Sequence, residues 1–312
     1  MSEARIGVVG ATGAVGTVAL ELLAERGFDQ VRAFASSRSA GKKLPGGLIV
    51  EEATAEALSA GGLDLCIFSV GTRASAELVP HAVRGGAICV DKSAAFRLAE
   101  GIPLVVPEVN GDRALEHDGI VANPNCSTIP LTLVLKPLHE AAGLRAVRVA
   151  TYQSASGAGA QRLQRLLEEP PAEHDLAMDW AYDGEDFEDE SKLREETRKI
   201  LELPKLPVSV TCVRVPVPIG HAESVWIETE APLTPERARE LLAPMPSVRL
   251  EEFPTPRKAA GGDVVLVGRI RRDPAAELGL SLFLACDNLR KGAALNGIQI
   301  AELVLSRRTV AA

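Results

Sequence analysis

Residues 5–16 read Arg5-Ile6-Gly7-Val8-Val9-Gly10-Ala11-Thr12-Gly13-Ala14-Val15-Gly16. The run 5–9 has the short apolar character of a buried strand, and the pattern over 14–26 is helical. Between them the glycines are spaced G-x-x-G-x-x-G, a variant of the dinucleotide fingerprint. Glycine lets such a turn close tightly and lets the backbone approach a pyrophosphate, which rests on the free N–H groups at the helix start. Three glycines alone are a weak signal, but a strand before them and a helix after them make it strong. Gly10, Ala11, Thr12, Gly13, Ala14, Val15 and Gly16 are therefore the first candidate cofactor contacts.

The pattern continues outward from this turn. Further strands are predicted at 31–35, 65–70 and 87–90, with short ones near 103–106 and 119–122. Strands alternating with helical patterns imply parallel βαβ units and a Rossmann-like α/β domain. An apolar helical pattern follows over 127–141, with Pro130 tolerated in its first turn and Pro137 expected to kink it. Beyond it the texture changes. Longer strands rich in β-branched residues are predicted at 145–154, 208–217, 222–230, 264–270 and 279–286, with helices at 158–168, 190–202 and 234–242. This order suggests an α+β domain with a mostly antiparallel sheet. Residues 168–189 are Pro-rich, then acidic, and read as an exposed excursion. An amphipathic helix over 291–308 closes the chain through Ala294, Ile298, Ala301 and Leu305. The expected division is 1–125 plus 288–312 for dinucleotide binding and 126–287 for catalysis and dimerisation.

The chain has 312 residues, 46% of them apolar and 24% charged, with a formal net charge of -8. Nucleic-acid binding is disfavoured, because a phosphate backbone attracts the opposite sign. No signal-peptide pattern opens the sequence and no apolar run reaches membrane-spanning length, so a cytoplasmic, non-membrane protein is expected. Its five cysteines show no metal spacing and no paired framework, so no metal is expected. Cys66, Cys89, Cys212 and Cys286 sit in apolar, strand-like runs and read as small buried hydrophobes.

Two local features point to chemistry. At the end of the second strand, where an NAD enzyme usually places Asp or Glu on the ribose, the chain reads Ala35-Ser36-Ser37-Arg38-Ser39 and then Lys42-Lys43. Hydroxyls and a guanidinium suit a 2′-phosphate, so Ser36, Ser37 and Arg38 point to NADP. The fifth cysteine, Cys126, stands before a helix, where unpaired N–H groups stabilise a thiolate and could hold an oxyanion. A cofactor together with such a cysteine suggests reduction through a thioester, which keeps a carbonyl electrophilic enough to accept hydride.

The motif Asn123-Pro124-Asn125-Cys126-Ser127-Thr128 resembles the nucleophile motif of the aspartate-semialdehyde dehydrogenase family. Thr151-Tyr152-Gln153-Ser154-Ala155-Ser156-Gly157-Ala158-Gly159-Ala160 is similar to that family's next signature. Val105-Val106-Pro107-Glu108-Val109-Asn110, Arg214-Val215-Pro216 with His221, and Asp287-Asn288-Leu289-Arg290-Lys291-Gly292-Ala293-Ala294 continue the resemblance in order. It implies NADPH-dependent reductive dephosphorylation of β-aspartyl phosphate to aspartate β-semialdehyde. By the same resemblance Cys126 is the nucleophile, His221 the acid–base group, and Gln153 positions the acyl centre. Arg214 grips the substrate carboxylate, while Arg97, Lys192 and Asn125 match phosphate contacts. Ser156, Gly157 and Asn288 match cofactor contacts, and a homodimer or tetramer is the family expectation.

Three departures stand out. Asp189 holds the place of the usual Glu for the substrate amino group, with Glu190 beside it. The stretch after Leu166 is shorter than usual and carries Leu176-Ala177-Met178-Asp179-Trp180-Ala181. Lys92 stands where Asn is common. A reductase of another acyl phosphate, such as N-acetylglutamyl phosphate, would share the chemistry but not the cysteine motif. A non-catalytic paralogue would be expected to have lost Cys126.

Overall fold

The computed structural model describes residues 3–311. The chain divides into two compact units, Met1–Pro124 with Ala293–Ala312, and Asn125–Gly292. Residues 288–292, grouped with the first unit on sequence, thus fold with the second.

The first unit carries six strands: β1 (Ile6–Val9), β2 (Val31–Ala35), β3 (Val50–Glu52), β4 (Leu65–Phe68), β5 (Ile88–Asp91) and β6 (Ile120–Ala122). Its helices are α1 (Ala14–Glu25), α2 (Ala55–Ser59), α3 (Thr72–Arg84) and α4 (Pro107–Asn110), joined by the C-terminal helix Leu295–Ala311. The sheet order is β3-β2-β1-β4-β5-β6, parallel throughout. Both faces are covered, which is why β4 and β5 are buried at every position and read as continuous apolar runs. Ile298, Ala301, Val304 and Leu305 of the C-terminal helix join Leu22 and Leu23 of α1 in one core. The order reverses between β1 and β4, the topological switch point where such sheets bind ligands.

The predicted strand at 103–106 is reduced to a single bridge, Leu104 to Ala122. Pro103 and Pro107 flank it, and proline has no N–H with which to extend a ladder.

In the second unit the strands are β7 (Leu144–Gln153), β8 (Val208–Arg214), β9 (His221–Thr229), β10 (Val248–Leu250), β11 (Val265–Arg272) and β12 (Gly279–Cys286). They form a sheet in the order β10-β11-β12-β9-β7-β8. The three central pairings are antiparallel and the two outer ones, β10–β11 and β7–β8, are parallel. Helices α5 (Thr128–Ala142), α6 (Ala160–Glu168), α7 (Glu188–Leu201), α8 (Pro235–Leu242) and α9 (Pro256–Ala259) accompany it. The run Thr128–Leu135 of α5 is buried throughout, and the helix continues past Pro137 to Ala142.

Residues 168–189 are not a free excursion. Ala177 pairs with Arg214 as an antiparallel bridge on the outer edge of β8, and the buried Asp175 is ion-paired with Arg165 of α6. The edge of β8 offers unpaired N–H and C=O groups, and this segment satisfies one pair of them: Ala177 N–H to Arg214 O at 3.1 Å and Arg214 N–H to Ala177 O at 2.7 Å.

Candidate active site

The dinucleotide turn lies in the first unit. Gly10 has φ +90°, and a Cβ there would stand 2.3 Å from Ser69 O; a Cβ at Gly16 would stand 2.1 Å from Gly10 O. Any side chain at either position would displace backbone, so both glycines are required by the turn itself. Gly13 is the N-cap of α1. Beyond β2, Ser36, Ser37 and Arg38 form an exposed turn, and Ser39 Oγ lies 3.4 Å from Thr12 Oγ1, linking this turn to the glycine turn. A backbone cradle that a Cβ would fill, beside hydroxyls and a guanidinium with no carboxylate in the turn, fits a phosphorylated dinucleotide. In the same unit Arg97 is buried and donates from Nε to Asn123 O at 3.0 Å and from Nη2 to Lys92 O at 2.5 Å. These two carbonyls fix the guanidinium plane.

The second unit carries the rest of the sequence-predicted residues. Cys126 is partly exposed, whereas the other four cysteines are buried. Burial pushes the Cys212 and Cys286 thiols up, away from thiolate character. Cys126 precedes the first turn of α5, and the backbone on either side of it is held. Asn125 N–H donates to Glu196 Oε2 at 2.6 Å, and Asn125 Oδ1 accepts from Ser127 N–H at 2.8 Å. Gly292 makes room beside it, since a Cβ there would stand 3.2 Å from Cys126 O.

His221 opens β9 and pairs with Cys286 of β12, which is within electrostatic reach of Cys126. Its Nδ1 accepts the Ser154 N–H at 3.0 Å, which leaves the ring proton on Nε2. Nε2 is buried and has no hydrogen-bond partner among the described residues. Burial, and then the nearby Arg214 cation, push the His221 pKa down to about 3, so the ring is neutral near pH 7. The result is a fixed tautomer with one N–H left to offer.

Asn288 supports that arrangement from behind. Its Oδ1 accepts from Gly220 N–H at 2.9 Å and from Ser154 Oγ at 3.0 Å, and its Nδ2 donates to Ser156 Oγ at 3.0 Å. Here Asn288, Ser154 and Ser156 brace the turn that carries His221.

Arg214 and Gln153 are neighbours in register across β8–β7. Arg214 is 3% exposed; its Nη1 donates to Ser154 O at 3.1 Å, while its Nε is buried without a hydrogen-bond partner among the described residues. A Cβ at Gly157 would stand 3.0 Å from His221 Cε1, 3.1 Å from His221 Nε2 and 3.1 Å from Arg214 Nη1. The histidine and the arginine therefore converge on one point, and a Cβ at Gly157 would press one or both of them aside by a few tenths of an ångström. Gln153 is buried, with its Nε2 3.4 Å from Thr151 Oγ1.

On α7, Lys192 pairs with Glu188 at 2.8 Å and with Asp189 at 3.3 Å. Glu190 points elsewhere: its Oε2 accepts the Phe187 N–H at 2.8 Å and its Oε1 the Cys212 N–H at 2.9 Å, tying the start of α7 to β8.

Sequence reasoning overlooked three groups. Glu196 anchors the backbone before Cys126 from within Glu195-Glu196-Thr197-Arg198-Lys199, a stretch recognised without a role for this residue. Glu223 is fully buried two residues beyond His221, with neither carboxyl oxygen hydrogen-bonded among the described residues. It shares the inward phase of His221, Val225 and Ile227 on β9, a period-two signal that was available. Asp179 and Trp180 both contact the Arg214 guanidinium, which no periodicity foretells.

The family model described as the NAD binding domain of semialdehyde dehydrogenase matches residues 5–117. The model described as the semialdehyde dehydrogenase dimerisation domain matches 135–189 and 181–291. The aspartate-semialdehyde dehydrogenase of Streptomyces akiyoshiensis is 43% identical, over 96% of this chain and 98% of its own. That of Bacillus subtilis is 40% identical, over 96% of each. Among solved structures, aspartate semialdehyde dehydrogenase II of Vibrio cholerae, complexed with ASA, superposes with TM-score 0.91 at 39% identity, covering 97% of this chain and 98% of its own. An aspartate semialdehyde dehydrogenase with NADP from Candida albicans has TM-score 0.78 at 26% identity, covering 98% and 99%.

Proposed function

This chain belongs to the aspartate-semialdehyde dehydrogenase family, and on that premise we propose that it reduces β-aspartyl phosphate to aspartate β-semialdehyde with NADPH, through a thioester on Cys126. The observation that carries the reading is the second unit's arrangement of a half-exposed cysteine at a helix start, a neutral histidine with a free N–H, and a buried arginine beside it.

The residues divide the chemistry as follows. Cys126 sulfur attacks the acyl carbon, the C–S bond forms, and the C–O bond to phosphate breaks. Phosphate leaves with the bonding pair, and Arg97, Lys192 and Asn125 are assigned to hold it. The bound nicotinamide supplies the reducing equivalent. His221 presents Nε2–H to the carbonyl oxygen, where negative charge develops, and Ser154 and Asn288 keep that tautomer in place. A donor at Nε2 acts in this state as an electrophile that stabilises the hemithioacetal oxyanion; when that oxyanion re-forms the C=O bond, the C–S bond breaks and its electron pair leaves on the Cys126 sulfur, so collapse consumes no proton. Arg214 is assigned the substrate carboxylate, for which its buried, unpartnered Nε is an unused donor. NADP preference is assigned to Ser36, Ser37 and Arg38, and the second unit is assigned a homodimer contact.

The test is phosphate-dependent reduction of NADP with aspartate semialdehyde. Cys126→Ala should abolish it while NADPH binding, followed by fluorescence, persists. Turnover in that variant above background would exclude the covalent route.

A further inference from the structure

Guanidinium groups gather at one further place in the second unit, away from His221. Arg239 of α8 with Arg269 and Arg271 of β11 line a cleft of about 390 Å³, and Leu250, Phe253 and Val267 supply its apolar wall. Small-molecule sites occupy about 300–1,000 Å³, so the cleft is of a size to take one. It opens beside the register shift between Gly268 and Arg271, opposite Phe283 and Ser281 of β12. Cys286, which pairs with His221, lies at the other end of that strand, roughly 17 Å from Ser281 at about 3.4 Å per residue.

The backbone at this cleft is held in a demanding shape. A bulge takes a left-handed residue most easily as glycine, yet Arg269 has φ +53°. A bulky residue in that region is strained, and such strain collects at ligand sites. Its neighbour Gly268 lets the loop after β10 come close, since a Cβ there would collide with Glu251 O. Arg239 Nη2 donates to Ile270 O at 2.6 Å, and Arg271 Nη1 donates to Arg269 O at 2.9 Å. Neutral carbonyls thus orient two of the guanidiniums without cancelling their charge. The lining also holds Glu251 and Glu252, and Glu251 accepts from Lys258 Nζ at 2.9 Å. With Lys258 and with Glu236, which stands 3.7 Å from Arg239, four cations face three carboxylates. The cleft is therefore locally positive on a chain of net charge -8, and Phe253 stands 55% exposed beside it.

We propose that this cleft is a second ligand site, which binds a small organic carboxylate with an apolar body. The guanidiniums take the carboxylate, whose charge and planar geometry match their fork, and Phe253 and Leu250 take the body. Acetate would use the cations and leave the apolar wall in water. A neutral aromatic amide would cover the wall and leave the cations unpaired. Arg269 is the group on which the site turns, because glycine would turn the chain at φ +53° with less strain and only arginine adds the charge. The proposal is independent of the Cys126 chemistry.

The experiment titrates phenylacetate into the full-length protein by calorimetry, with phenylacetamide and acetate as the neutral and the bodiless controls. The parent should bind phenylacetate saturably and more tightly than either control. Arg269→Gly should weaken that binding about tenfold or more, the worth of a charge-assisted hydrogen bond, and Phe253→Ala should weaken it too. Arg269→Gly should unfold at the same or a higher temperature than the parent, since glycine accepts left-handed backbone freely. Arg269→Asn, which also tolerates that backbone, should lose binding in the same way. Phenylacetate affinity unchanged in both Arg269 variants would place the ligand elsewhere, at Arg214 for example, and overturn the proposal. Equal affinity for phenylacetamide or for acetate would overturn it, as would the absence of saturable binding at millimolar concentration. A fall in unfolding temperature for both Arg269 variants with binding retained would make the arginine a structural part of the bulge and overturn it as well.

Discussion

Glu223 and His221 lie two residues apart on β9, both fully buried, and burial shifts them in opposite directions. Glu223 is raised well above its ordinary 4.5, so burial favours its neutral acid form in the native protein. His221 is lowered from 6.5 to about 3. In the unfolded chain both titrate normally. Below pH 6.5 the unfolded histidine takes up a proton that the native one refuses, so its contribution to stability is lost as pH falls from 6.5 towards 3. Above pH 4.5 the unfolded glutamate releases a proton that the native one keeps, so stability is lost as pH rises. Each slope is at most about 1.4 kcal/mol per pH unit. Glu223→Gln removes the second effect. Whatever its packing costs, that cost does not vary with pH, so the variant should gain on the parent as pH rises above 4.5. Urea unfolding at several pH values checks this, and a stability difference independent of pH would mean that Glu223 is ionised in the folded protein.

At the scale of elements, β1, the glycine turn and α1 could be read directly, because each was announced by its own local chemistry: apolar run, glycines, helical period. The short β3 and the helix α3 gave no comparable signal, since β3 has three residues and α3 packs a narrow face beneath a polar one. The strand expected at 103–106 failed for want of N–H donors at its flanks. The turn after β2 carries a prediction of its own. Arg38 is exposed there and no carboxylate accompanies it. Arg38→Ala should lower the NADP-over-NAD ratio of kcat/KM by roughly ten- to a hundredfold, the worth of a charge-assisted bond to phosphate. Parallel kinetics with the two cofactors decide it, and equal use of both by the parent enzyme would refute the assignment.

For the whole molecule, the second unit matters most. Nine large apolar side chains remain exposed among the described residues, and five of them, Tyr152, Leu167, Leu176, Met178 and Tyr182, fall within 152–182. The dimerisation-domain match covers that stretch. The parent protein should therefore run as a dimer in light scattering at micromolar concentration, and Leu167→Asp combined with Leu176→Asp should shift it towards monomer. A monomeric parent, or a double variant that stays dimeric, would place the contact elsewhere or remove it.

The sequence by itself determined the architecture and the chemical parts. The glycine turn, the change from helix-punctuated to β-branched strands, and the motifs around Cys126, Gln153, Arg214 and His221 are all local patterns, and local patterns survive in one dimension. Only the tertiary structure decided how those parts are held. The tautomer of His221 depends on a Ser154 N–H sixty-seven residues away in the chain, and its bracing on Asn288, a further sixty-seven beyond His221. The partner of Arg214 was decided the same way. Asp179 reaches it because Ala177 pairs with the edge of β8 and Arg162 draws the carboxylate inward, contacts that span thirty-five residues for Arg214 and seventeen for Arg162. Periodicity reports which face a residue occupies, but not which distant face it will meet. That is fixed by strand register and by the need of an exposed sheet edge, and of each buried polar group, for a partner.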